Sequence, residues 1–350
     1  MSSAFAQAAR TLEQNPPEME RTGRVAVILN KNAKRVSRRV RRHVEAAAPA
    51  GADIFFTESL EQARFITRRV VDSRYDLVVT GGGDGTVANT IAQVVSHCQA
   101  RGYEHAPRFA VLRLGTGNAV ADFLNAGHYR DDLRRLDGAA WQPIDLLHID
   151  GQHRATFAGV GWDAYILNNY DRMRAVAERT PVTRALFKTV AGYLIAGVGK
   201  SVPELIVRRP AWNVRVVNTG GIGLKVDHSG RVVERIAPGA TAFTGRIRLA
   251  CFGTTPYYGF KFNIMPHAHR TPGMFHLRLV DMHPLAAVRE LPAVWTGRTE
   301  HPGIVDFQLS GCRLEFDQPV PFQISGDAAG LRDSIEVGLD QPIHCARFPA

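Results

Sequence analysis

Two apolar runs each end in a glycine turn that leads directly into a helix-forming stretch, and this arrangement constrains the chain more than any other feature. Residues 76–80 (DLVVT) run into Gly81-Gly82-Gly83-Asp84-Gly85-Thr86, followed by a helical stretch over 87–98. Residues 109–113 (FAVLR) run into Leu114-Gly115-Thr116-Gly117-Asn118, followed by a short helix over 119–124. Strand–turn–helix units of this kind build parallel sheets, whose ligands bind beyond the carboxyl ends of the strands. Two further apolar runs precede them, 24–29 ending at Asn30 and 52–57. They alternate with helices expected over 31–43 and 59–71. In the first of these, Val36, Val40 and Val44 recur every four residues and give one apolar stripe.

After about residue 143 the texture changes. Runs of β character at 155–160, 204–207, 213–217, 246–252, 274–280, 313–316 and 322–325 are separated by glycine and proline, the pattern of an antiparallel sandwich or barrel. A helical insertion is expected near 165–198. The chain is therefore expected to be α/β plus β: a tail over 1–23, a Rossmann-like nucleotide domain with a parallel sheet over 24–143, and a C-terminal antiparallel β-sandwich domain over 144–334. The extreme C-terminus, 335–350, is a candidate to return to the first domain.

A length of 350 residues, with 45% hydrophobic and 22% charged side chains, supports two folded cores and excludes a largely disordered chain. Lys+Arg minus Asp+Glu is 43 − 33 = +10. That balance favours anionic partners such as nucleotides, nucleic acid or membrane surfaces, although arginine spread along a whole chain also fits a general compositional bias. Cys98, Cys251, Cys312 and Cys345 lie far apart without a CxxC pair, which points to reduced thiols and away from zinc or disulfides. Residues 1–24 lack an apolar signal core and contain Glu13, Glu18 and Glu20; the longest apolar stretch, 189–199, is well short of the ~20 residues that span a bilayer. The expected location is cytoplasmic, peripheral to a membrane during turnover at most.

The chemistry lies in the two turns. A glycine turn lets backbone N–H groups approach phosphate oxygens, and the helix behind it adds partial positive charge. Asp84 cannot face a phosphate directly, so its expected task is to hold Mg²⁺ or a metal-bound water beside one. Thr86 supplies a hydroxyl and a helix cap. The second turn is weak alone, because Val120 stands where a dinucleotide fingerprint has its last glycine; beside the first it closes the other side of one phosphate site. His267 and His269 form an HxH without a third ligand, and read as a loop pair. The basic run 31–42 reads as a solvated face. Arg184, Phe187, Lys188, Tyr193, Leu194 and Ile195 fit equally a bilayer-facing helix and a core-packing one.

GGGDGTVAN followed by LGTGNAVA resembles the catalytic domain of the diacylglycerol kinase family, which includes bacterial lipid kinases and sphingosine kinases. Weaker matches extend along most of the chain: Asn30 to the family's opening Asn-Pro motif, Thr57 to a nucleotide-contacting threonine, Ile144-Asp145-Leu146 to the strand entering the second domain, and 157–164 (FAGVGWDA) to its glycine-x-Asp-Ala turn. Tyr257-Tyr258-Gly259 and Met265-Pro266-His267-Ala268 match the segment before the C-terminal strands. The resemblance implies an ATP- and Mg²⁺-dependent kinase acting on a lipid hydroxyl. ATP would be held by Asn30, Thr57, Gly82, Gly83, Asp84, Gly85, Thr86, Gly115, Thr116, Gly117 and Asn118. Members carry an Asp-Gly-Glu whose acid takes the hydroxyl proton; here Ser325-Gly326-Asp327 matches it, so Asp327 is the implied base beside Asp84. Asp145 is a weaker candidate for the acceptor or metal network.

The chain also departs from the family. The opening motif reads Asn30-Lys31-Asn32-Ala33-Lys34. Arg113 replaces a proline, Ala119 an aspartate and Asp122 an arginine. Pro272-Gly273 stands where some members place an Asp-Gly that helps hold a structural Mg²⁺. Besides the kinase, a catalytically weak nucleotide- or lipid-binding protein of the same fold therefore stays open. A nicotinamide-nucleotide kinase shares a GGDGT loop but lacks LGTGN. The expected partners are a lipid alcohol and a peripheral membrane surface, not nucleic acid, since no recognition module is present. A homodimer is among the open assembly states.

Overall fold

A computed structural model describes residues 23–33, 35–162, 164 and 210–349. The tail over 1–22, Lys34, Asp163, the helical insertion with its amphipathic residues, and the run at 204–207 lie outside the described residues.

The N-terminal sheet has six strands in the order β2 (Asp53–Thr57), β1 (Val25–Asn30), β3 (Leu77–Gly81), β4 (Arg108–Leu112), β18 (Ile343–Arg347) and β5 (Ala140–Ile144). β1 to β4 and β18 are parallel, and β5 closes the edge antiparallel to β18. β1, β3 and β4 are continuous apolar runs because helices cover both faces of the sheet. Helix α1 (Arg38–Ala47) packs with α5 (Tyr129–Arg134), and α2 (Leu60–Asp72) packs with α3 (Asp84–Ala100). α1 begins at Arg38 rather than at Lys31 because Ser37 caps it, its hydroxyl accepting the Val40 N–H at 3.2 Å. Residues 31–33 remain in the loop beyond β1, where the Lys31 N–H donates to the Thr57 carbonyl at 2.9 Å.

The second sheet is antiparallel and contains 12 strands. β6 (Leu147–Ile149), β7 (His153–Ala155) and β8 (Phe157–Gly161) enter it. After the undescribed segment come β9 (Trp212–Asn218), β10 (Gly223–Val226), β11 (Val232–Ile236), β12 (Thr241–Ile247), β13 (Leu249–Gly253), β14 (Phe275–Val280) and β15 (Ile304–Leu309), then the long hairpin β16 (Gly311–Ile324) and β17 (Asp327–Leu339). The runs at 313–316 and 322–325 belong to one strand, β16, which ends at Ile324 with Ser325 in the following turn; its register shifts between Glu315 and Val320, where Asp317-Gln318-Pro319 intervenes. Before the shift β16 pairs with β9, and after it with β8, so a single bent strand joins both layers of the sandwich. Between them lie Phe252, Phe275, Phe307 and Phe322. Helix α6 (Pro284–Trp295), unread in the sequence, joins β14 to β15.

β14 is buried on both faces. Phe275, Leu277 and Leu279 face the sandwich, while His276 and Arg278 meet Asp306 on the other side. Arg278 donates twice to Asp306, at 2.7 and 2.9 Å, and His276 Nε2 lies 2.9 Å from the same carboxylate. The segment over 254–272 covers this cluster, with Gln308 donating to the His267 carbonyl at 2.9 Å and accepting from Thr271 at 2.8 Å. All four cysteines are buried and free.

Burial, with the neighbouring His276, pushes the His267 pKa down to about 4. The folded protein therefore binds fewer protons than the unfolded chain between pH 6.5 and 4, and this contribution to stability is lost as pH falls through that window. Urea unfolding at pH 7 and pH 5 should show a loss of stability that is smaller in His267→Gln; an equal loss in both would place the acid-sensitive group elsewhere.

Candidate active site between the two glycine turns

The carboxyl ends of the first four strands fall on one line. Register pairs Asn30 with Thr57, Leu29 with Gly81 and Gly81 with Leu112, so both glycine turns project from the same edge as Asn30 and Thr57. β1 and β3 are neighbours, but their chains continue to opposite sides of the sheet, which opens a crevice there. Across it the Asn30 amide donates to the Thr86 hydroxyl at 3.0 Å, while its carbonyl oxygen accepts the Asn32 N–H at 2.9 Å. Thr57 is buried.

Helix α3 starts at Asp84 and has Gly83 as its N-cap, so no N-cap side chain bonds its first-turn amides. Those donors need an acceptor from outside the helix. A Cβ at Gly83 would meet nothing within 4 Å, so the turn has open space in front of it. Gly82 lies against the Thr86 side chain.

Asp84 joins the two turns. Its carboxylate accepts the Asn118 N–H at 2.9 Å on one oxygen and the Ala119 N–H at 2.6 Å on the other. Burial pushes its pKa up, and these two amides pull it back. The residue expected to face a cation is thus first a tie between loops, although each oxygen retains a second lone pair. The close approach requires glycine: a Cβ on Gly117 would overlap the Asp84 carboxylate, and one on Gly115 would press on the Gly82 carbonyl. Asn118, in the left-handed region at φ 58°, braces the second turn by bonding both polar groups of Gly115, at 2.9 and 3.0 Å. Thr116 sits half-buried between the two glycines.

Asp327 reaches the same place from the other domain. Ser325 and Gly326 have φ of 53° and 87°, and Ile324 pairs with Asp327, which defines a tight two-residue hairpin. The Ser325 N–H donates to the Phe157 carbonyl at 3.1 Å, and the Gly326 N–H to the buried Gln323 side chain at 2.8 Å. This anchored turn sets the Asp327 carboxylate against Gly85, where a Cβ would come within 2.8 Å of it. Asp327 is thus a hairpin residue and also the carboxylate beside the first turn of α3.

The remaining candidates lie apart. Asp145 accepts the Gly273 N–H at 3.2 Å, and its pKa is raised by burial; it braces the Pro272-Gly273 turn. His267 and His269 diverge: the first joins the Asp306 cluster, and the second lies 2.9 Å from the Gln142 amide and edge-on to Phe123. Among the described residues, no group of three His, Cys, Asp or Glu could hold a metal ion, and no helix is long and apolar enough to cross a membrane.

One contributor had no role assigned from sequence, the turn over 257–262. Its Phe260 N–H donates to the Gly117 carbonyl at 2.8 Å, and Gly259 stacks on the Gly117 backbone. The signal was four aromatic side chains around a Gly and a Lys, which reads more readily as core. Ala119 lies beneath, fully buried with Phe157, Cys251 and Met265.

A two-domain protein with paired glycine loops over an α/β sheet is the class that this geometry defines. Residues 24–149 match the family model of the diacylglycerol kinase catalytic domain. The chain is 24% identical over 297 residues to a diacylglycerol kinase of Staphylococcus epidermidis, covering 83% of this chain and 79% of that one. It is 21% identical over 295 residues to a diacylglycerol kinase of Staphylococcus carnosus, covering 83% and 82%. A diacylglycerol kinase structure from Bacillus anthracis shares the fold with a TM-score of 0.62 at 15% identity, over 95% of this chain and 99% of that one. A second structure from that organism aligns at 0.64 and 16%, with the same coverage. Residues 24–149 are thus similar to a diacylglycerol kinase catalytic domain, and the chain shares the two-domain fold of those structures.

Asp84→Asn places an NH₂ against one of two buried amides and should cost about 2 kcal/mol of stability, measured by urea unfolding. Unchanged stability would show that the carboxylate is not a structural tie.

Proposed function

We propose that the protein is a lipid kinase that transfers the γ-phosphate of ATP to a lipid hydroxyl. The observation that carries this reading is the convergence of Asp327 from the β-rich domain on Gly85, beside the first of two glycine turns that project from one edge of the sheet. The turns offer what a triphosphate needs: a helix start at α3 with no N-cap side chain over it and a backbone bare enough for phosphate oxygens to approach. Asn30, Thr57, Gly82, Gly83, Gly85, Thr86, Gly115, Thr116, Gly117 and Asn118 form the cradle in this reading. Mg²⁺ fits the donor set only sparingly, with Asp84 holding it through water on its unused lone pairs; it would neutralise phosphate charge.

The chain's own contribution is positioning. The acceptor hydroxyl enters beside Asp327, whose carboxylate takes the hydroxyl proton as the new oxygen–phosphorus bond forms and the bond to the β-phosphate oxygen breaks. ADP and the phosphorylated lipid leave. Because the matched relatives are named diacylglycerol kinases, diacylglycerol is the first acceptor to test and a sphingoid base the second. Such substrates require the protein to visit a membrane surface from the cytoplasm.

One observation favours the second reading, a nucleotide- or lipid-binding protein with weak catalysis: both Asp84 oxygens are already occupied by amides. Mg²⁺-dependent ATP turnover on lipid alcohols in mixed micelles separates the two. Wild type should phosphorylate one lipid class, and Asp327→Ala should lower kcat by about 10²- to 10⁴-fold, the usual contribution of a general base, with ATP binding retained. Intact ATP binding without turnover on any lipid would select the binding-protein reading.

A further inference from the structure

Arg113 and Asp122, two residues the nucleotide cradle does not use, are in contact. The Arg113 guanidinium stands 2.8 Å from the Asp122 carboxylate, whose side chain is 0% exposed, whereas 36% of the Arg113 side chain meets solvent. Neither carboxylate oxygen has a well-directed hydrogen bond, so the Arg113 ion pair is the close charged contact of this buried side chain. Burial pushes the Asp122 pKa up; Arg113 pulls it down most strongly, then Lys261 through its charge and its backbone N–H. Asp122 therefore lies where three segments meet: the end of β4, the helix α4 (Ala119–Phe123) that follows the second glycine turn, and the 257–262 turn of the β-rich domain.

That turn is costly to hold. Gly259, Phe260 and Lys261 have φ of 122°, 51° and 58° in succession, and the last two carry side chains that disfavour the left-handed region. Such backbone persists only where its surroundings fix it. The Phe260 N–H bond to Gly117 fixes one residue, and the Lys261 backbone N–H lies toward the Asp122 carboxylate at the next.

We propose that Asp122, paired with Arg113, is a positioning residue that keeps the 257–262 turn closed on the second glycine loop and so sets Gly117 and Asn118 for the nucleotide phosphates. The proposal rests on the reading of that loop as part of the cradle. Asp84 would hold the loop from the α3 side and Asp122 from the opposite side, across the domain boundary.

The test uses the full chain with Arg113→Gln, Asp122→Asn and the double variant. Arg113 is partly exposed, so its variant should fold even if Asp122→Asn does not. Hydrogen exchange without nucleotide should show the amides of 260–262 exchanging about tenfold faster in each variant, with those of β4 unchanged. In ATP titrations the KM for ATP should rise about tenfold while kcat changes far less. The double variant should be no worse than either single one, because both act through one contact; Arg113→Lys should recover part of the loss. Unchanged exchange at 260–262 in Arg113→Gln, or additive effects in the double variant, would overturn the proposal. Because exchange is read without nucleotide, faster exchange in a protein with no lipid turnover would uphold the latch and sink the kinase reading alone.

Discussion

A carboxylate removed from water between two loops is the constraint on which the site depends. Asp84 is costly to bury, and its two hydrogen bonds go to consecutive backbone amides, Asn118 and Ala119. Backbone amides cannot rotate away as side chains can. The second glycine turn is therefore fixed at one distance from the first, with no room for a Cβ on Gly117. The separation of the two turns, which decides what anion fits between them, follows from one side chain on the first residue of α3.

The β-rich domain adds to this frame by rigid means. β16 is bent rather than broken, so its second half pairs with β8 while its end turns tightly at Ser325-Gly326. The turn is tied to Phe157 and Gln323, and Asp327 is carried to Gly85 by sheet geometry rather than by a flexible loop. Behind the site Arg154 of β7 bridges Asp340, Ser96 and Gln99, with Gln99 returning a bond to Asp340 at 2.9 Å. Its side chain is only 10% exposed. This network clamps the far end of α3, the helix whose first turn faces the cleft, so both ends of α3 are referenced to the second domain.

The parallel half of the fold was legible because its signals are local. Apolar runs buried on both faces, glycine turns at their ends and Ser59 capping α2 at the expected place each speak within a dozen residues. The ties were not legible. Asp84 reads as a metal-facing acid from its neighbours, and only the approach of Asn118, 34 positions on, shows what its oxygens bind. The bend in β16 looks like a strand ending, because proline and a register shift interrupt the pattern while long-range pairing with β9 and β8 restores it. α6 was hidden by Pro292 within it, and the place of β18 between β4 and β5 by its pairing with strands far away in sequence, although the return of the C-terminus to this domain was a candidate. The Arg113–Asp122 contact was visible only as two separate departures from a family pattern.

Ala119 shows how such departures combine. An aspartate there would lie 0% exposed against Phe157, Cys251, Ile264 and Met265, one residue from Asn118 and at the amide that Asp84 already engages. A further buried carboxylate at that point would have no counter-charge in the apolar cluster and would add to the repulsion that Asp122 already exerts on Asp84 in a poorly screened interior. The alanine lets the 257–262 turn and the Met265 segment pack against α4 without that repulsion. The cleft therefore carries fewer negative charges than an aspartate-bearing version and repels an anion less. The same packing that closes the domains also sets the electrostatics of what they close upon.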